Sequence, residues 1–249
     1  MRKITLSFRL HKRALRTVCL ALIGLLPAIV FGQTEISTVQ GLKDIAKDLA
    51  GSYKLTADLV LTEEWTPIGT EAAPFTGVLD GNGHIIKGLK TTITANSRVG
   101  LFGVAKNAEI KKLGLEDVNL NGTQDVAPFI GKAYASKVTE CYSTGLVQGN
   151  DHVAGIIGGT AASTPAAKSL IRNCYSTAVI FSRTYQAGGI LGTAVDVDIE
   201  NVFFSGSCSS QTNTGGIVSL VDAATAELGA TANTITNSLA VSPFLKGGT

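Results

Sequence analysis

The chain has 249 residues, with 21 Lys and Arg against 19 Asp and Glu, 28 Gly and only 16% charged residues. Six of the basic residues (Arg2, Lys3, Arg9, Lys12, Arg13 and Arg16) and none of the acids lie in residues 1–32, so the remainder carries 15 basic and 19 acidic side chains, net −4. The basic whole-chain balance is thus no sign of a nucleic-acid partner, and none is expected; about 217 residues suffice for one elongated domain with its own core.

Residues 1–32 read as a secretory signal peptide: a basic stretch, an apolar run over residues 18–31, then Gly32. The apolar run is 14 residues long, short of the roughly 20 that a membrane-spanning helix needs. Cleavage is expected at Gly32–Gln33, with Val30 and Gly32 as the small positions. Cys19 opens the apolar run after Arg16-Thr17-Val18, the wrong place for a lipid-attachment cysteine. With the signal removed, no membrane span is expected, and the chain is placed as exported: secreted, periplasmic or on the cell surface. Cys141, Cys174 and Cys208 then remain, an odd number for an oxidising compartment.

Residues 33–98 read as an N-terminal cap and first strands. Leu42, Ile45, Ala46 and Leu49 fall at helical spacing and predict an amphipathic helix over residues 39–50 that covers the open end of a sheet. Strands are predicted on residues 53–61 and 75–89, the latter bent at Asp80-Gly81-Asn82-Gly83.

Residues 99–249 are repetitive. Val99-Gly100-Leu101-Phe102-Gly103 recurs as Val126-Ala127-Pro128-Phe129-Ile130-Gly131, Val153-Ala154-Gly155-Ile156-Ile157-Gly158, Ala187-Gly188-Gly189-Ile190-Leu191-Gly192 and Thr214-Gly215-Gly216-Ile217-Val218-Ser219. The starts are spaced by 27, 27, 34 and 27 residues, a regular period with one insertion at residues 160–169. Between these blocks lies a second series headed by Ile110, Val138, Ile171, Ile199 and Ile235, in which steps of two are strand alternation and steps of three allow a bend. Val, Ile, Thr and Gly dominate and no helical stripe is sustained. The fold class is therefore all-β: a parallel β-solenoid of about 27-residue coils that bury a common core when stacked.

Tyr53-Lys54-Leu55-Thr56-Ala57-Asp58, Trp65-Thr66-Pro67-Ile68-Gly69, Phe75-Thr76-Gly77, Asp80-Gly81-Asn82-Gly83-His84, Val99-Gly100-Leu101-Phe102-Gly103 and the later Gly-Gly-Ile-Leu-Gly blocks resemble GLUG-repeat proteins, exported bacterial proteins common in Bacteroides-like organisms. The resemblance covers nearly all of the mature chain. It implies a right-handed β-solenoid with an adhesin-like surface role, and it carries no established catalytic residues. Related repeats occur in streptococcal immunoglobulin A peptidases.

Catalytic chemistry finds little support in the residues. His84 and His152 are far apart, not paired on a helix, so no zinc-peptidase motif is present. No nucleophile elbow, complete phosphate loop or cofactor motif occurs. Asp196 and Asp198, with Lys168, are the carboxylates from which a small polysaccharide lyase or glycosidase would be built. The stacking register instead sets Asp196 beside Lys168 and Glu109 beside Lys137, as surface ion pairs. A non-catalytic piece of a larger surface peptidase is a further alternative. Cys141 and Cys174 share one repeat position in adjacent coils, within reach of a disulfide or as buried free thiols. In the next column, Tyr142, Tyr175 and Phe203, followed by Leu239, should point outward as an aromatic strip, a candidate surface for a host or envelope glycan or protein.

Overall fold

Strands pair in parallel throughout the computed structural model, which describes residues 32–93, 95, 98–163, 167–222 and 232–247. The expected signal peptide therefore lies outside the described residues except for Gly32, and part of the insertion at 160–169 does too. Gln33–Thr249 forms one compact unit.

Each coil contributes one pass to four walls. The coil of Glu109–Lys111, Gly114–Asn121, Gln124–Val126 and Ile130–Tyr134 shows the order, which repeats one coil on as Lys137–Thr139, Tyr142–Gly149, Asp151–Ala154 and Ile157–Ala161. The first wall carries eight strands, from Thr34–Ile36 to Thr234–Thr236. Its ladder is in register from end to end: Tyr53 lies against Leu79, then Ile110, Val138, Ile171, Ile199 and Ile235 follow, one per coil. Residues 33–98 thus supply the cap and the first coils of one continuous solenoid.

Stacking follows from burial. A coil alone exposes its inward Val, Ile and Phe side chains, each stabilised by about 1.5–3 kcal/mol when fully buried, and parallel strands about 4.8 Å apart place like side chains over like. Ile110, Val138, Ile171 and Ile199 are accordingly fully buried, whereas Ile235, in the last described coil, is 46% exposed. Pro128 lacks an N–H, yet the ladder passes it, because Leu101 N–H donates to its carbonyl at 2.8 Å.

Corners between the first and second walls require left-handed backbone. Lys112, Glu140, Asn173, Asn201 and Asn237 all have φ between 48° and 55° there, and asparagine tolerates this region best among non-glycine residues. Asn201 Nδ2 also donates to Asn173 Oδ1 at 2.7 Å, tying two corners together. Asp80-Gly81-Asn82-Gly83 belongs to the same edge: Asp80 Oδ1 accepts Asn82 N–H at 2.8 Å, and the turn sends the chain from the first wall into the second.

The N-terminal helix is shorter than its sequence pattern predicts. It spans Val39–Lys43, capped by Thr38 Oγ1 accepting Gly41 N–H at 3.1 Å, and tightens into a 3-10 turn over Asp44–Lys47. Asp48 ends it by accepting Ala50 N–H. Leu42 and Ile45 enter the core as the spacing requires, while Ala46 lies past the point of tightening and is exposed.

Candidate ligand-binding face

The outer face of the second wall is where apolar side chains accumulate without cover. Residues 174–182 and 202–210 alternate between buried and solvent-facing positions. Cys174, Ser176, Ala178 and Ile180 point in, and Tyr175, Thr177, Val179 and Phe181 point out. Parallel pairing then aligns Tyr142 with Tyr175, Phe203 and Leu239 in one column, and Leu146 with Val179 in another. Tyr175, Val179, Phe181 and Phe203 are 41%, 48%, 40% and 39% exposed, a contiguous apolar area on a face that water would otherwise wet.

The strip is not a row of open aromatic platforms. Tyr142 and Tyr175 stack on each other, with ring centroids 4.9 Å apart and planes 3° from parallel, so their facing surfaces cover one another. Because side chains on a parallel ladder leave in the same direction, like rings pile up. Tyr142 also leans over Gly114, the preceding residue of its column, where a Cβ would sit 2.5 Å from its Cζ. Its hydroxyl donates to Glu116 Oε1 at 2.7 Å. Burial and then the Glu116 carboxylate push this phenol well above the ordinary tyrosine range. Tyr142 is thus a half-buried anchor, and Tyr175 and Phe203 are the accessible members of the column. Beside Tyr142 opens a cleft of about 420 Å³ lined by Asn82, Gly83, Lys112, Leu113, Gly114 and Glu140.

A second constellation was not expected from the sequence. Arg98, Asp125 and His152 sit one period apart and stack on the third wall, next to the pairs Val99 with Val126 and Val126 with Val153. Asp125 is buried between them: Arg98 Nε lies 2.8 Å from Oδ2 and His152 Nδ1 lies 2.7 Å from Oδ1. Arg98 reaches Glu71, to which Tyr134 donates at 3.0 Å, and His152 reaches Asp151. Burial, with Glu71 adding to it, pushes the Tyr134 phenol up to about 12. Arg98 is shared between Asp125 and Glu71, and His152 caps the other oxygen of Asp125, which makes the network a fastening between coils. The 27-residue spacing of Arg98, Asp125 and His152 was its signal in the sequence.

The other sequence candidates fall as follows. Cys141 and Cys174 do not form a disulfide: both are buried free thiols, as is Cys208. They stand side by side, and each Sγ points to backbone carbonyls, Cys141 to Thr139 O at 3.2 Å and Ile110 O at 3.9 Å, Cys174 to Arg172 O at 3.2 Å and Val138 O at 3.5 Å. Burial, with the neighbouring Cys174 adding to it, raises the Cys141 thiol. Glu109 does align with Lys137, yet it pairs with Lys111 of its own strand at 3.1 Å. Lys168 bonds Asp198 at 2.6 Å rather than Asp196, because Asp196 adopts φ 49° at a corner and its side chain is buried. Burial opposes ionisation of Asp198, but hydrogen bonds from Lys168 and Thr234 prevail and hold its carboxyl below the usual range. Trp65 is core, its indole N–H donating to Leu101 O at 3.0 Å. A cleft of about 410 Å³ lies beside it against Lys43, Ala46 and Leu49 of the cap region.

No family model matches the chain. Halomucin from Haloquadratum walsbyi (strain DSM 16790 / HBSQ001) is 34% identical over 89 residues, which are 35% of this chain and 1% of halomucin. This chain therefore spans about a hundredth of the length of that relative. A crystal structure from Bacteroides ovatus, provisionally described as an immunoglobulin A1 protease, superposes with a TM-score of 0.72 at 25% identity, covering 85% of this chain and 67% of that one. Among the described residues, no helix is long and apolar enough to cross a membrane.

Proposed function

We propose that this chain is an exported, non-catalytic binding module of the GLUG-repeat type, presenting the outer face of its second wall to a host or envelope glycan or protein. The observation that carries this reading is the contiguous exposed apolar area of Tyr175, Val179, Phe181 and Phe203 on an otherwise regular wall. Exposed apolar surface on a folded domain is usually an interaction site. Likeness to a protein named halomucin and to one provisionally described as an immunoglobulin A1 protease fits such a module. The engagement of Asp198 by Lys168 and the burial of Asp196 support a role without polysaccharide cleavage.

The test is a binding screen of residues 33–249 against arrayed glycans and matrix proteins, with a Tyr142→Ala/Tyr175→Ala variant alongside. Binding that disappears in the variant is the expected result. Binding unchanged in the variant removes the face from consideration, and release of new reducing ends from any polysaccharide overturns the non-catalytic reading. Sequencing the exported protein should give Gln33 as its N-terminus, and a retained residues 1–32 would overturn the assignment of a cleaved signal.

A further inference from the structure

We infer that the C-terminal end of this solenoid is covered by the same end of a second copy of the chain, with the strand Thr234–Thr236 pairing antiparallel to its own counterpart across a two-fold axis. The inference concerns assembly and is independent of any ligand on the second wall.

The two ends of the solenoid differ. At the first, Leu42 and Ile45 of the cap are fully buried, and apart from Val60 no large apolar side chain before Tyr175 is exposed among the described residues. At the far end Val221, Ile235, Leu239, Val241, Phe244 and Leu245 all are. Ile235 and Leu245 stand in inward columns, on Ile199 and Cys208, which are fully buried one coil earlier. The core is thus open at this end, and the burial that holds coil to coil is incomplete there.

The same end is a set of edges. Asn213–Gly215, Val218–Val221, Thr234–Thr236, Leu239–Ala240 and Leu245–Lys246 each terminate a sheet path. Natural edges are blunted by charge, proline or a covering element. Pro243 and Lys246 do this on the second wall, but residues 233–238 on the first contain neither proline nor charge. There, Asn201 N–H donates to Thr236 O at 3.1 Å. Successive peptide groups of a strand face opposite ways, so the N–H and C=O of Ile235 point along the axis away from the preceding coil, with no strand beyond them among the described residues.

Symmetry, charge and the cap choose a second copy as the occupant. Ile235 laid opposite its own counterpart on an antiparallel strand exchanges both backbone hydrogen bonds with it, so this edge is its own complement. The contact continues the coil-on-coil interface by one further layer, apolar interior against apolar interior. The five terminal strands hold one charged residue, Lys246, and Asp222 adjoins them with the opposite sign. Like therefore meets like without the charge repulsion that keeps identical edges apart. Because the cap fills the opposite end, a head-to-tail fibre is blocked and the contact closes at two chains. A coil of 27 residues also matches what each partner brings to a stable interface, roughly 20–30 residues.

Sedimentation velocity of residues 33–249 from about 1 to 100 µM measures the assembly. The expected result is a dimer whose affinity falls by about 100-fold or more in Ile235→Lys/Leu245→Lys, since each substitution acts on both chains. Both positions are half-exposed in the single chain, so the variant should keep a folded monomer. Val60→Lys at the capped end and Tyr175→Ser/Phe203→Ser on the second wall should leave the dimer unchanged. A monomer throughout the range, a mass that grows past two chains, or a dimer lost in Tyr175→Ser/Phe203→Ser overturns the inference. So does a dimer that survives Ile235→Lys/Leu245→Lys. Should that variant lose its cooperative melt, Ile235→Pro takes its place under the same outcomes: it removes the outward N–H and spares the bond from Asn201 to Thr236.

Discussion

The ring of Tyr142 rests between Gly114 on one coil and Tyr175 on the next, 4.9 Å from the latter and nearly parallel to it. One residue without a side chain thus gives the aromatic column its start. The hydroxyl then reaches back across the gap to Glu116 at 2.7 Å, so three coils are joined at the edge of the candidate binding face.

Glycines on this scaffold should differ sharply in what they tolerate. At Gly114 a Cβ meets only the tip of the Tyr142 side chain, which can swing away. Gly114→Ala should cost about 1 kcal/mol and weaken the Tyr142–Glu116 bond. At Gly189 a Cβ would collide with the Gly216 carbonyl of the next coil, which cannot move without breaking the ladder. Gly189→Ala should cost more than about 3 kcal/mol or prevent folding. Urea denaturation of the two variants checks the order; equal losses would contradict it.

Asp125 is the buried partner of two cationic or potentially cationic side chains. Asp125→Ala should therefore destabilise the chain by about 3 kcal/mol, since it takes the buried counter-charge from Arg98 and leaves it the half-exposed Glu71. The double variant Asp125→Ala/Arg98→Met should recover part of that loss. A double variant as unstable as the single one would show that the ion pair is not the cause.

Phe75 and Phe102 stack with centroids 4.2 Å apart, and both are fully buried. Phe102→Ala should cost about 3–5 kcal/mol. Because each coil is stabilised by its neighbours, the loss should appear first as increased amide exchange in residues 99–106. Uniform exchange along the solenoid would be the contrary result.

Burial pushes the Cys208 thiol from 9.0 up to about 12, so the folded state keeps a proton that the unfolded state gives up. The stability tied to this group is full below 9.0 and is lost as pH rises through about 12. Urea midpoints taken across that interval should fall, and Cys208→Ala should flatten the slope. Native protein should also resist a thiol reagent that labels Cys141, Cys174 and Cys208 once denaturant is added. Rapid labelling of the native chain would show that these thiols are accessible.

Much of this architecture was legible in residue order. The recurring Val-Gly-Leu-Phe-Gly type blocks, starting at Val99, Val126, Val153, Ala187 and Thr214, gave the coil period, and the period gave the columns. Stacking of Tyr142, Tyr175 and Phe203 could be read because alternation along a strand and repetition between coils leave a side chain little freedom over which face it occupies. The helix at Val39–Lys43 was legible in its buried Leu42 and Ile45 but not in its length, since tightening at Asp44 depends on what the following turn packs against.

By itself the sequence determined the coil period and which residues share a column, because these depend on spacing alone. Only the tertiary structure decided what neighbours in a column do to each other. It showed Tyr142 and Tyr175 covering one another's faces, Lys168 bonding Asp198, and Cys141 and Cys174 pointing their thiols at backbone carbonyls. Those outcomes turn on rotamers, corner dihedrals and the direction of each side chain, which are set by packing around the residue and leave no mark in the order of the amino acids.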